Sequence, residues 1–403
     1  MLNSIKNDIK KNYYDPTFHG VDLEARFKAA EQKLNEATSL GQLFGIIGQA
    51  VLDLNDSHTV FLPPQRTTRT DYGWVMQAIG DKCFVTAIKP GSEAEKKGLK
   101  PGDLVHSVNG FAPSRENLWK MQYLFYTIRP QPLLRVQVQS PGEQPREIDI
   151  PAKITQGKRI IDLAGPGASL DVNDLLREAE NEDRLNAHRY IEMGEDLFIW
   201  KMPQFDLEQG SVDSMMDKAR KRKALILDLR GNGGGSEETL LRMIGNLVDH
   251  DVKVGDLKRR KENKPLLAKT RGKDRFSGQL VVLIDSKSGS SSELLARITQ
   301  LEKRGSVIGD HSAGAVMRSR IHSYQSGADV QIFYAASITD ADIVMTDGKS
   351  LENTGVTPDE LLLPTAEDLA AGRDPVMVRA AAIVGIKLDP LRAGKMFPVQ
   401  WRK

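Results

Sequence analysis

Leu280-Val281-Val282-Leu283-Ile284 is followed, after a short polar stretch, by Gly289-Ser290-Ser291-Ser292-Glu293 and then by a helical pattern from Leu294 to Lys303. An apolar run of that length between turn residues reads as a buried strand. Ser290 therefore falls on a tight turn between a strand and a helix. Many hydrolases hold a nucleophile on such a turn, and the first amides of the helix stabilise negative charge beside it. Ser290 and Glu293 also have the S-x-x-E spacing of a capping box, so the same residues describe an ordinary helix start.

The strand–helix rhythm continues on both sides. From Tyr190 onward, Leu197-Phe198-Ile199-Trp200 and Ala224-Leu225-Ile226-Leu227 read as buried strands, Thr239 to Leu247 as a helix and Gly305-Ser306-Val307-Ile308 as another strand. Gln331 to Ser337 and Asp342 to Met345 are expected to pair as a hairpin. This alternation predicts an α/β layer architecture. Residues 68 to 153 differ, with short strands (Trp74 to Ala78, Phe84 to Ile88, Leu104 to Val108, Leu133 to Gln139) set between Pro90-Gly91, Pro101-Gly102 and Asn109-Gly110. Two short helices, Glu93 to Lys97 and Arg115 to Tyr126, fit between those strands. The first 56 or so residues are helical, with Asp22 capping Leu23 to Leu34 and apolar residues at helical spacing from Leu40 to Leu54. Asn55-Asp56-Ser57-His58 ends that part, and extended Val60-Phe61-Leu62 stops at Pro63-Pro64. The predicted division is a helical region at 1–66, a β-rich domain at 67–155, a polar linker at 156–188 around Gly165-Pro166-Gly167 and the charge run Glu178 to Arg184, and a β/α domain at 189–403.

Composition narrows the function. The chain has 403 residues, 40% hydrophobic and 27% charged, with a net charge of +2, ordinary for a globular multidomain protein. That charge gives no case for nucleic acid as a partner, and Arg259-Arg260-Lys261 reads as a solvated loop. The single cysteine, Cys83, excludes an intrachain disulfide and a C-x-x-C metal pattern; it reads as a buried, inert thiol. No apolar stretch approaches a membrane span, and the polar opening Leu2-Asn3-Ser4-Ile5-Lys6 is unlike a signal peptide.

Two further segments bear on Ser290. Asp228-Leu229-Arg230-Gly231-Asn232-Gly233-Gly234-Gly235 closes the strand Ala224 to Leu227. Its glycines let the backbone approach a ligand and turn N–H groups outward. No G-K-[ST] follows, which weakens a phosphate-loop reading. An oxyanion hole built from Gly234 or Gly235 together with Ser291 needs this geometry. A serine nucleophile also needs a base, and His19, His58, His106, His188, His250, His311 and His322 compete for that place. Spacing does not choose among them. Glu352, in Leu351-Glu352-Asn353-Thr354-Gly355-Val356-Thr357-Pro358-Asp359, is either a surface acid or the group that orients the base.

Together these segments resemble the superfamily of carboxyl-terminal processing (tail-specific) proteases, tricorn protease and the interphotoreceptor retinoid-binding protein. Tyr13-Tyr14-Asp15-Pro16 with Leu54 to Thr59 is similar to the family's helical N-terminus. Val85 to Ala94, Gly98 to Asp103 and Val108-Asn109-Gly110 are similar to a PDZ domain. Leu227 to Gly235 resembles the glycine segment, Ser290-Ser291-Ser292-Glu293 the S-A-S-E nucleophile motif, and Glu352 to Asp359 the C-terminal signature. The resemblance implies a crotonase/ClpP-like β/α catalytic domain, a serine endopeptidase activity on protein or peptide substrates and no metal or cofactor; it favours a periplasmic or secreted protein whose leader has been removed, with the cytoplasm as the alternative compartment. Assembly state and cleavage preference are left open.

One departure decides which mechanism the resemblance implies. Bacterial and plastid processing proteases use a Ser/Lys dyad, and the matching stretch here, Gly309-Asp310-His311-Ser312-Ala313-Gly314-Ala315-Val316, holds Ala315 at the lysine position. The tricorn tetrad maps instead onto Ser57, His58, Ser290 and Glu352. Ser290 is then the nucleophile, His58 the base and Glu352 the group that polarises it through Ser57, with His311 as rival base. Gly234, Gly235 and Ser291 are the oxyanion donors. By the PDZ likeness Tyr72, Gly73, Trp74 and Val75 are placed at a carboxylate-binding loop, although bulky Tyr72 and Trp74 also suit a packed lid or spacer. The alternatives are a non-catalytic binding module for hydrophobic ligands or peptides on the same fold, and a hydrolase acting on esters.

Overall fold

The apolar runs read as strands pair into one six-stranded sheet in the computed structural model, which describes residues 1–66, 68–156, 181–182, 184–327 and 331–402. Its order is Glu360–Leu361, Ser306–Gly309, Gln279–Ile284, Ala224–Asp228, Leu197–Lys201 and Arg189–Met193. All neighbours are parallel except the last pair. Parallel strands are covered on both faces, and every residue of Ala224–Asp228 is buried. Phe198, Trp200, Leu225, Leu227 and Val282 face the helices Gln209–Ala219, Glu237–Leu247 and Ser291–Leu301. Leu197, Ile199, Ile226, Val281 and Leu283 face Pro375–Ile383 and Pro390–Gly394. Alternate residues thus serve opposite layers of a three-layer α/β sandwich.

A second sheet ties the ends of the chain together. Its order is Val60–Leu62, Ile332–Met345, Val252–Lys258 and Asn263–Ala268, with Met317–Ser326 also pairing Ile332–Met345. The expected hairpin between Gln331–Ser337 and Asp342–Met345 does not form. Ile332–Met345 is one strand of 14 residues, and its hairpin partner is Met317–Ser326. Ile338 and Thr339 are both buried beside a register shift at Arg318/Ser319. This bulge changes the phase of the alternation without ending the strand, which is why the pattern looks broken there.

The N-terminal helices Leu2–Asn12, Leu23–Asn35 and Leu40–Leu52 share a core with Phe61, Tyr334, Ala336 and Ile338, so they pack on the long strand rather than alone. Asp22 caps the second of them as expected, accepting from Ala25 N at 3.0 Å. Arg260 is not merely solvated: its guanidinium donates to Lys10 O at 2.6 Å, holding the first helix.

The β-rich part is a five-stranded antiparallel sheet, in the order Trp74–Ile79, Lys82–Ile88, Leu104–Val108, Leu133–Gln139 and Arg146–Pro151. The chain enters and leaves it through the antiparallel pair Thr68–Asp71 and Lys153–Gln156. The helix read over Arg115 to Tyr126 is an α-helical Leu118–Gln122 that widens into a π-helical Tyr123–Ile128. Cys83 is buried, and that burial pushes its thiol up to about 11, as an inert cysteine requires. Most of the expected 156–188 linker, including Gly165-Pro166-Gly167, lies outside the described residues. Among the described residues no helix is long and apolar enough to cross a membrane.

Candidate active site

Strand register delivers three loops to one edge. Asp228 is level with Leu283, and Ile284 with Gly309. The loops 229–235, 285–290 and 310–316 therefore leave the carboxyl ends of neighbouring parallel strands, where open α/β sheets form their ligand crevice.

Ser290 sits at that edge with φ 54° and ψ −118°, a conformation a side chain tolerates only when its surroundings enforce it. Its N–H is shared between Ala315 O at 2.8 Å and Glu293 Oε2 at 2.9 Å. The carboxylate side of the capping box is thus present. Glu293 is fully buried and also accepts from Ser312 Oγ at 2.5 Å, Gly314 N at 2.7 Å and Ala315 N at 2.9 Å. Burial pushes it up to about 7 against the pull of those hydrogen bonds, Ser312 first.

The glycine segment packs directly on the serine. A Cβ at Gly234 (φ +104°) would stand 2.6 Å from Ser290 Cβ, and one at Gly235 (φ +141°) would stand 2.4 Å from Phe205 O. The expectation that Gly234 is an oxyanion donor meets a correction: its N–H is taken by Asn232 Oδ1 at 2.8 Å. The N–H groups of Gly235 and Ser291 donate to no acceptor among the described residues, and Ser291 Oγ donates to Gly235 O at 3.2 Å, so those two residues adjoin. Buried Asn232 staples the loops, accepting at its carbonyl from Gly289 N and Ser292 Oγ, each at 2.9 Å.

The histidine arrives from the other end of the chain. Val60, Phe61 and Leu62 pair with Ser337, Ala336 and Ala335, which places the preceding turn beside the loop that carries Glu352. Ser57 Oγ lies 2.7 Å from His58 Nδ1 and donates to Glu352 Oε2 at 2.8 Å, while Ser57 N donates to Glu352 Oε1 at 2.7 Å. With its one proton directed at the carboxylate, the hydroxyl accepts from Nδ1–H, so Nε2 carries the lone pair. Burial lowers the pKa of His58, opposed by the charge of Asp56. Burial raises that of Glu352, opposed by the Ser57 hydroxyl, the Ser57 N–H and the Val316 N–H.

The two halves meet at adjacent residues. Ala315 O holds Ser290 N, and the next amide, Val316 N, donates to Glu352 Oε2 at 2.8 Å. No hydrogen bond joins the His58 ring to the Ser290 hydroxyl. Among the described residues only His58 reaches a carboxylate through a hydroxyl. His19 bonds Tyr14 and Leu54 O, His106 bonds Gln139, His188 bonds Asp206 and Trp200, His250 pairs with Asp249 and Glu302, and His322 pairs with Asp8. The rival His311 has no ring hydrogen bond among the described residues, and its carbonyl is held by Arg115.

The expected carboxylate-binding loop is a second correction. Tyr72 and Trp74 are buried in the core of the five-stranded sheet, and the Tyr72 hydroxyl donates to Gln131 O at 2.9 Å. The Gly73 N–H is taken by Asp71 Oδ1 at 2.9 Å. Val75 lies on the edge strand Trp74–Ile79, where Met76 O and Ala78 O already accept from Gln122 and Ser286. Both aromatics fill this sheet's own interior.

Sequence reading missed Asp56, only 3% exposed. It accepts from Tyr13 Oη (2.7 Å), His58 N (2.9 Å), Thr59 N (2.7 Å) and Thr339 Oγ1 (2.7 Å), fixing the turn that carries Ser57 and His58. An acid that opens a turn before a histidine is the signal available for it. Nothing in the sequence marks the backbone groups of Ala315 and Val316.

Residues 198–362 match the description of peptidase family S41. The likeness to peptidase family S41 thus lies in the α/β part that carries Ser290 and Glu352. It is 26% identical over 356 residues to the tail-specific protease of Haemophilus influenzae, covering 84% of this chain and 48% of that protein. It is 30% identical over 403 residues to tricorn protease homolog 2 of Streptomyces coelicolor, covering 93% of this chain and 31% of the homolog. The chain therefore spans about half the length of the first relative and less than a third of the second. The crystal structure of mature CPAF superposes with a TM-score of 0.66 at 15% identity, over 92% of this chain and 93% of that one, a likeness of fold.

Proposed function

We propose that the chain is a serine peptidase that cleaves protein or peptide substrates through an acyl-enzyme on Ser290. Protein tails are the substrate class taken here, in line with the name of the Haemophilus relative. The observation that carries the reading is the hydrogen-bonded chain His58–Ser57–Glu352, held one residue away from the carbonyl that grips Ser290. Boundaries at 1–66, 67–155 and 189–403 divide the labour among a helical part that brings the base, a β-rich wall and a catalytic α/β part.

In this reading Ser290 Oγ bonds to the scissile carbonyl carbon as His58 Nε2 takes its proton. The oxyanion is met by the N–H groups of Gly235 and Ser291. The imidazolium is steadied by Glu352 through Ser57 and passes its proton to the departing amine, which breaks the C–N bond. Water repeats the sequence on the ester, leaving a carboxylate and free Ser290. Substrate closes the His58–Ser290 approach, since catalytic hydrogen bonds are often long in the free enzyme.

A base must be neutral to act. With its pKa lowered by burial, His58 protonates only as pH falls below its ordinary 6.5, and the His58-dependent step fails there. A fluorophosphonate probe tests the whole assignment. Wild type is expected to label at Ser290, Ser290→Ala not at all, and His58→Ala roughly a thousandfold more slowly or worse. Normal labelling of His58→Ala together with loss in His311→Ala would transfer the base to His311.

A further inference from the structure

One buried carboxylate touches this site without a part in the chemistry assigned above. Glu293 Oε1 accepts from Ser312 Oγ and Gly314 N, and Oε2 from Ser290 N and Ala315 N. A helix cap asks one such bond of its acid; here four donors from two loops converge. A protonated acid or an amide would bring hydrogens of its own into that ring of donors.

We propose that Glu293, as the carboxylate, is a positioning residue that clamps the strained backbone of Ser290 and the 312–315 loop into one rigid unit. The inference rests on the serine-peptidase reading. The clamp extends to the acid of the site, because Val316, next to Ala315, donates to Glu352. The charged groups on the surrounding loops are committed elsewhere or unpaired with it: Asp310 to Arg115 and Gly80 N, Asp285 to Gln77 and Gly231 N, and Glu352 to Ser57 and Val316. Lys287 and His311 form no ion pair with Glu293 among the described residues.

With burial holding Glu293 at about 7, the clamp loosens as pH falls through that value, before His58 protonates. The sign is the reverse for stability. The folded chain binds this proton more tightly than the unfolded one, so ionising Glu293 costs the fold progressively as pH rises from 4.5 to about 7. The carboxylate is kept at a site where it weakens the fold, which fits a positioning role.

The test uses the full chain and a short peptide, with kcat and KM followed from about pH 5 to about pH 9. Glu293→Gln is expected to lower kcat about a hundredfold with KM nearly unchanged, and to lose the acid limb near 7 while keeping the lower His58 limb. Ser312→Ala removes one donor and is expected to move that limb upward. Wild-type turnover in Glu293→Gln, or an acid limb that stays in place in Ser312→Ala, overturns the proposal. If Glu293→Gln does not fold, the Ser312→Ala limb decides alone. Fluorophosphonate labelling separates the two levels: a wild type unlabelled at Ser290 sinks the parent reading and this inference with it. A labelled wild type with an unmoved limb in Ser312→Ala sinks only the inference.

Discussion

The serine half and the histidine half of the site use the same device and are built in opposite ways. Each has a buried acid that gathers backbone and hydroxyl donors, Glu293 on one side and Asp56 on the other. The serine half grows from loops at the ends of neighbouring parallel strands, all between residues 224 and 316. The histidine half depends on a three-residue edge strand, Val60–Leu62, finding a partner at 335–337. The contrast teaches where rigidity comes from. Glu293, Ala315 O and the close approach of Gly234 fix Ser290, whereas Asp56 fixes the turn that carries His58 from beneath, on the shared core of the N-terminal helices. Damage should therefore show as lost chemistry on the first side and as lost stability on the second.

Among the substitutions that probe this contrast from outside the acting side chains, the largest effect should come from Gly234→Ala. The added methyl would stand 2.6 Å from Ser290 Cβ and 3.1 Å from its Oγ, at a φ of +104° that side chains avoid. The serine must move, and an ångström of misplacement costs about a hundredfold in rate. Steady-state kcat beside the melting temperature checks it. A variant with normal turnover would show that the contact does not set the position of Ser290.

Asp56→Ala probes the other half. It strands Tyr13 Oη, Thr339 Oγ1 and two backbone N–H groups, so denaturant unfolding should lose about 3 kcal/mol. Turnover should fall by roughly tenfold as the His58 turn loosens. Stability equal to wild type would break the contrast, because the histidine half would then have another anchor.

The same contrast explains what was legible in the sequence. The strands around Ser290 and the glycine segment could be read because each is local, apolar and closed by turn residues. The set Ser57, His58 and Glu352 was reachable only through family likeness, since 295 residues separate Ser57 from Glu352 and no periodicity reports such a pairing. The roles of Asn232, Ser312 and the Ala315–Val316 amides depend on backbone direction, which residue identity does not encode. Gly234 was misread because a glycine can serve by lacking a Cβ as well as by offering an N–H. Tyr72 and Trp74 were misplaced because a motif position says nothing of which way a side chain packs. The long strand Ile332–Met345 was cut in two by a bulge that mimics a turn in the alternation.

The smallest effect is expected at the seam between the β-rich sheet and the α/β core. Arg115 donates to Asp310 Oδ2 at 2.6 Å, to His311 O at 3.1 Å and to Gly80 O at 3.0 Å, and Gly80 N returns a bond to the same Asp310 oxygen at 2.9 Å. This contact grips the start of the 310–316 loop, whose far end holds Ser290 and Glu352. Arg115→Ala leaves Asp310 with the N–H groups of Gly80 and His311, so the carboxylate keeps partners and the loss should be about 1 kcal/mol. Turnover should fall only about threefold, because Glu293 still braces the loop from inside. A double variant with Ser312→Ala sharpens this. If the latch and the Glu293 clamp act on one loop, their effects on kcat will be more than additive in free energy, whereas simple additivity would mean that the β-rich sheet is fastened to the core without reaching the serine.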